Sequence, residues 1–176
     1  MSERARRRWN KFGPLLVGIC IGLLVVAVAR ARAMSAFLVP TSSMSPTINP
    51  GDRVLVQSEP GRLPERGEIW VFQMPPSAMA APGCVAIKRV MGLPGETIEV
   101  REGKVWINDQ AIEEAPGVVA PTYAFGPLEL GADEYFMLGD NRNLSNDSHV
   151  WGPVRAGALM GRATGCYWPM SRVSGF

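Results

Sequence analysis

A single histidine, His149, and three scattered cysteines, Cys20, Cys84 and Cys166, are all that 176 residues offer for soft-metal chemistry or cross-linking. They make a poor zinc set, so no metal and no cofactor is expected. They are also odd in number and too few for a disulfide scaffold. A Cys84–Cys166 bridge in an oxidising compartment stays open, because sequence cannot establish proximity. Internal repeats, heptads and a phosphate-binding glycine loop are missing too. So is a basic face on the main body: beyond Arg32 the chain has 11 basic and 15 acidic residues, a net −4, which gives nucleic acid no footprint.

Basic charge is instead gathered at the start. Residues 1–11 carry Arg4, Arg6, Arg7, Arg8 and Lys11, and Phe12 to Ala29 then runs for 18 residues without a charge. As a helix such a run is about 27 Å long, close to the roughly 30 Å hydrocarbon core of a bilayer. Only Arg30 and Arg32 follow it, and this imbalance favours a cytoplasmic N-terminus with the remainder on the exported side. A cleavable signal peptide is the rival, since Ala29-Arg30-Ala31 and Ala31-Arg32-Ala33 fit an A-x-A site. The run is long for a signal core and arginines crowd the cleavage point, so a retained single-pass anchor is expected. The chain thus divides into a basic N-terminus (1–11), a transmembrane anchor (12–29) and one domain (34–176).

Nineteen glycines and fifteen prolines, well spread, argue for short strands and many turns in that domain. Arg53–Gln57 alternates like a half-buried strand, and Glu68–Met74, Cys84–Met91, Glu134–Leu138 and Gly161–Trp168 are further strand candidates. Thr97–Asn108 carries the clearest hairpin signal, with apolar alternation on both arms of a Glu102-Gly103 turn. Residues 109–130 have little periodicity, and with Pro116, Pro121, Gly126 and Pro127 they are expected to form a long surface excursion. The fold class is therefore mainly β: an antiparallel β-sheet domain on a single N-terminal transmembrane helix. Phe37, Leu38, Trp70 and Phe72 are candidates for bilayer contact, although such aromatics are mostly core.

Pro40–Asp52, PTSSMSPTINPGD, packs a threonine and three serines between Pro40 and Pro46, and local physics makes it a fixed, non-helical loop. A hydroxyl needs a base before it can act as a nucleophile. The one histidine could serve only in a triad with Asp140 or Asp147, and three residues as close as Asp147, Ser148 and His149 suit that poorly. Lys88 is the stronger candidate. It stands among Val85, Ala86, Ile87, Val90 and Met91, and burial lowers the pKa of a lysine.

Three stretches then resemble the boxes of the type I signal peptidases. Pro40–Thr47 with Gly51-Asp52 resembles their catalytic-serine box, Ile87–Val90 with Gly92–Glu96 their catalytic-lysine box, and Gly139–Arg142 with Ser145, Asp147, Ser148 and Trp151-Gly152 their late box. The resemblance implies a membrane-anchored serine endopeptidase with a Ser-Lys dyad, removing signal peptides from exported preproteins after A-x-A-like sites. It makes Ser43 the nucleophile, Lys88 the general base, and the Ser43 amide with the Thr41 hydroxyl the oxyanion hole. Ser145 would orient the lysine, while Asp140 and Asp147 with Arg89 and Arg142 would support the dyad. Val39, Met44, Ile48 and Ile87 would line the substrate pockets.

Partners implied are signal-peptide-bearing preproteins and the lipid bilayer, with the secretion machinery a further candidate. Thr41 replaces a more usual serine, Asn143 stands where some members have aspartate and His149 where some have arginine. The domain also lacks the large inserted β-domain and second span of longer members. Two alternatives stay open: a specialised Ser-Lys peptidase of the pilin or conjugation type, and a silent, membrane-tethered β-module.

Overall fold

A computed structural model describes residues 15–23, 34–81 and 83–176. The chain divides into two compact units, Met1–Met34 and Ser35–Phe176. In the first, residues 15–23 are helical with exposed side chains. Among the described residues no helix is long and apolar enough to cross a membrane. The rest of the expected anchor, and the whole basic segment 1–11, lie outside the described residues.

The second unit is built from two antiparallel sheets. The larger runs in the order β1 (Met34–Leu38), β2 (Arg53–Gln57), β11 (Leu159–Trp168), β3 (Ile69–Gln73), β4 (Val85–Gly92), β9 (Glu134–Leu138) and β10 (Val154–Arg155), with β12 (Ser174–Gly175) folded back on β11. The smaller runs β7 (Gln110–Ala111), β6 (Lys104–Ile107), β5 (Thr97–Arg101) and β8 (Phe125–Glu129).

Strand β3 sits inside the large sheet and shows why its sequence is almost unbroken apolar. Alternate side chains on a strand face opposite ways. Ile69 and Val71 pack with Val39, Met44, Ile48 and Val54 on one side, while Trp70 and Phe72 pack with Val90, Met137 and Trp151 on the other. Trp70 and Phe72 are therefore core and cannot reach a bilayer. Leu38 is exposed, and Phe37 packs part-buried against the core. Strand β9 divides likewise, with Phe136 and Leu138 covering the small sheet's apolar side.

The hairpin forms about the expected turn: Val100 faces Val105, and both Glu102 (φ +52°) and Gly103 (φ +73°) take the left-handed conformation that a tight hairpin needs. Residues 109–130 depart from the expected excursion. β8 pairs with β5, and Val119 bridges to Asn141 in the late box. Gly126 and Pro127 inside β8 hide its alternation, and its partner stands more than twenty residues away. β1 was hidden in another way, because MSAFL is five residues without alternation, set directly after the Arg30–Ala33 flank of the apolar run.

One register detail matters for the site. β4 pairs with β3 from Val85 to Arg89, but with β9 only from Arg89 onward. On the β9 side, residues 85–88 have no ladder partner among the described strands. All three cysteines are free thiols, so the Cys84–Cys166 bridge is not formed.

Candidate active site

The loop carrying Ser43 is closed at its base by two bonds across the chain: Val39 N donates to Asp52 O (2.9 Å) and Gly51 N to Val39 O (2.8 Å). Gly51 has φ +89°, which glycine adopts without strain. Inside the loop Ser45 N donates to Ser42 O and Ile48 N to Met44 O, turning Met44 and Ile48 inward. Both are fully buried in the core, so neither reaches the surface of the cleft as expected. The remaining pocket residues, Val39 and Ile87, do line it.

Ser43 and Lys88 are both buried, at 7% and 5% exposure, and Lys88 Nζ donates to Ser43 Oγ at 2.7 Å. The amine also donates to the Ile87 carbonyl (3.1 Å). Burial pushes the lysine down from its ordinary 10.5 to about 8, against the opposing pull of the Asp147 and Asp140 carboxylates. Thr41 Oγ1 lies 3.2 Å from Ser43 Oγ. These groups open on a cleft of about 290 Å³ shared with Met74, Leu144 and Asn146.

The late box wraps the far side of this pair. Asn141 N donates to the Ser43 carbonyl (3.1 Å) and its side chain to the Ser42 carbonyl (3.2 Å), stitching the two segments together. Asp140, fully buried, takes two bonds from Arg89 (2.8 and 2.6 Å) and one from Thr47 Oγ1 (2.5 Å). Asp147, also fully buried, accepts from Gly139 N (2.9 Å) and from the His149 amide, and its carboxylate meets His149 Nδ1 at 2.7 Å. The His149 ring stacks on Tyr123 rather than on the serine. Arg142 is fully buried, donates to the Gly139 carbonyl (3.1 Å) and forms a fork onto Glu114.

Ser145 is brought beside this group, but its hydroxyl makes no hydrogen bond. The expected bond to Lys88 is not formed, because that amine is taken by Ser43 and Ile87 while Ser145 Oγ is turned against the backbone of Gly139. Thr47, Glu114 and Tyr123 were missed in the sequence. Each is one polar residue in a turn-rich segment, contacting a partner 26 to 93 positions away, and no local pattern marks it.

A buried hydroxyl bonded to a buried amine of lowered pKa, with no imidazole on either, is an arrangement in which the amine can take the hydroxyl's proton. The family described as signal peptidase, peptidase S26, matches residues 13–168. The chain belongs to that family and is a serine endopeptidase of the signal peptidase type. It is 40% identical to a probable signal peptidase I-2 of Synechocystis over 94% of this chain and 76% of that one. It is 42% identical to a signal peptidase I of Leptolyngbya laminosa over 91% of this chain and 83% of that one. A solved signal peptidase I from Enterococcus faecalis is 29% identical, with 57% of this chain and 97% of that one covered at a TM-score of 0.47.

Proposed function

We propose that the protein removes N-terminal signal peptides from exported preproteins after A-x-A-like sites, with Ser43 as nucleophile and Lys88 as general base. The observation that carries this reading is the 2.7 Å contact between the two buried side chains. Neutral Lys88 takes the Ser43 proton as the oxygen attacks the scissile carbonyl, and later gives it to the leaving amine. Water then hydrolyses the acyl-enzyme, with Lys88 again the base.

Oxyanion donors are at hand. The Ser43 amide bonds no acceptor among the described residues, and Thr41 Oγ1 stands beside the nucleophile. Thr41→Val should lower kcat by about 10²–10³-fold, the usual consequence of losing one such donor, while Thr41→Ser keeps it. Equal rates for the valine and serine variants would remove Thr41 from this role. Asp140, through Arg89 and Thr47, ties the late box to the two segments that carry the dyad, while Asp147 with Gly139 and His149, and Arg142 with Gly139 and Glu114, brace the late box itself.

An extended substrate segment pairs along the open side of residues 85–88, which brings its carbonyl to Ser43. Main-chain pairing of this kind gives affinity, and the pockets select alternate side chains. The small cleft beside Val39 and Ile87 suits alanine.

The lysine sets the pH dependence. With a pKa of about 8, only about a tenth of the molecules hold the neutral amine at pH 7. Cleavage should therefore rise about tenfold per pH unit below 8 and level off above it. A flat profile of preprotein cleavage from about pH 6 to 9 contradicts a lysine base.

The same reading makes residues 12–29 a retained anchor, with the N-terminus cytoplasmic, the domain on the exported side, and the bilayer and secretion machinery as neighbours. Its support is the uncharged run and the basic residues before it. Sequencing the N-terminus of the mature membrane-bound protein tests it: a chain that starts near Ala33 or Met34 rules the anchor out.

A further inference from the structure

The family match ends at Trp168, yet beyond it Arg172 bonds to four residues of the nucleophile loop. After β11 a short 3₁₀ turn, Met170–Arg172, is followed by β12, which pairs back onto Gly165 and Cys166. The end of β11 lies beside β2, with Trp168 opposite Arg53. This return path sets Arg172 against the loop that precedes β2.

The guanidinium meets that loop at four points. Its Nε donates to both oxygens of the buried Asp52 carboxylate (3.0 Å each). Its Nη2 donates to the Pro46 and Thr47 carbonyls (3.3 Å each). The Asn49 amide, oriented so that its nitrogen donates to Ser45 Oγ (2.8 Å), offers its oxygen to Nη1 and Nη2 (3.0 and 3.2 Å). Asp52 in turn accepts from the Asn49 main-chain N–H (2.8 Å). The near limb of the loop, at Ser42 and Ser43, is held by Asn141, and the far limb, residues 46–52, by Arg172. Thr47 links the two, because its carbonyl bonds Arg172 while its hydroxyl bonds Asp140.

We propose that Arg172 is a positioning residue for the Ser43–Lys88 pair, so that the segment beyond the family match is part of the working site. It touches neither substrate nor reacting atoms. It fixes the far limb of the loop, and through it the place of the Ser43 hydroxyl relative to the Lys88 amine on β4. A planar fork is needed, since an ammonium can pair with Asp52 but cannot also span two carbonyls and an amide. The proposal rests on the dyad reading above.

The test uses the full chain in detergent and a preprotein with an A-x-A site, with kcat and KM measured well below the melting temperature of each variant. Arg172→Met should lower kcat by about five-fold or more with KM within about two-fold, since small misplacements of a nucleophile act on kcat. Arg172→Lys should recover part of that loss. A smaller fall in kcat, a change confined to KM, or a lysine variant no better than methionine overturns the proposal. Should Arg172→Met fail to fold, Asp52→Asn and Arg172→Lys carry the test, and parental kcat in both overturns it. Ser43→Ala is run alongside: activity in that variant refutes the dyad itself, whereas its loss leaves the Arg172 outcome to be judged alone.

Discussion

Lys88→Met is expected to give a chain that folds, melts higher than the parent at neutral pH, and cleaves at least about 10³-fold more slowly, as loss of a general base from a coupled pair does. The two effects share one cause. Unfolded, Lys88 binds its proton with a pKa near 10.5, and folded with one near 8. Below 8 both states are protonated and the folded state carries the whole cost, about 3 kcal/mol. Between about 8 and 10.5 only the unfolded state binds the proton, so stability climbs with pH, and above that range the cost is gone.

Methionine has similar length and no charge to bury. Its gain should be largest at and below neutral pH and should fade towards pH 10.5. Ser43→Ala should lose activity to a similar extent without that pH-dependent gain, because a neutral hydroxyl has no such cost. Melting curves of the three chains from pH 6 to 10, with cleavage assays at each pH, check both halves. Cleavage by both variants removes the dyad, and a Lys88→Met curve parallel to the parent removes the buried-amine argument.

Gly139→Ala is expected to have the second largest effect. A Cβ at this position would stand 2.2 Å from Ser145 Oγ and 2.4 Å from the Ser43 carbonyl oxygen. Neither neighbour has room to yield cheaply. The Ser43 carbonyl is main chain and already accepts the Asn141 amide. The Gly139 peptide is itself tied on both sides, its N–H to Asp147 and its carbonyl to Arg142. Relief has to come from moving the nucleophile segment away from the late box. Overpacking of this kind costs about 1–3 kcal/mol, and an ångström of displacement about 10²-fold in rate. Measured together, kcat and melting temperature should both fall. A variant with parental values in both would show that the late box does not press on the Ser43 backbone.

How much of this was legible depends on the range over which each feature is encoded. β2 and the β5–β6 hairpin follow from alternation within a few residues, and β9 from a short apolar run, so the sequence pattern finds them. β8 does not, because Gly126 and Pro127 interrupt its pattern and only pairing with β5 keeps it straight. Ser43, Lys88 and the late-box residues stood out through resemblance. Their company did not: Glu114 under Arg142, Thr47 on Asp140 and Arg172 on Asp52 are 28, 93 and 120 positions from their partners. Met44 and Ile48 failed for a different reason. Apolar neighbours of a nucleophile look like pocket lining, but the loop's own hydrogen bonds turn them into the core.

The open side of residues 85–88 has a consequence for when, rather than where, a passenger is cut. An unfinished ladder asks for bare main chain before it asks for any side chain. A stretch already coiled into a helix has its amides and carbonyls spent, and one folded into a finished domain cannot be drawn out to reach the cleft. Under the proposed function, scission is thereby reserved for chain that is still extended when it reaches the cleft, and a passenger that folds first escapes the cut.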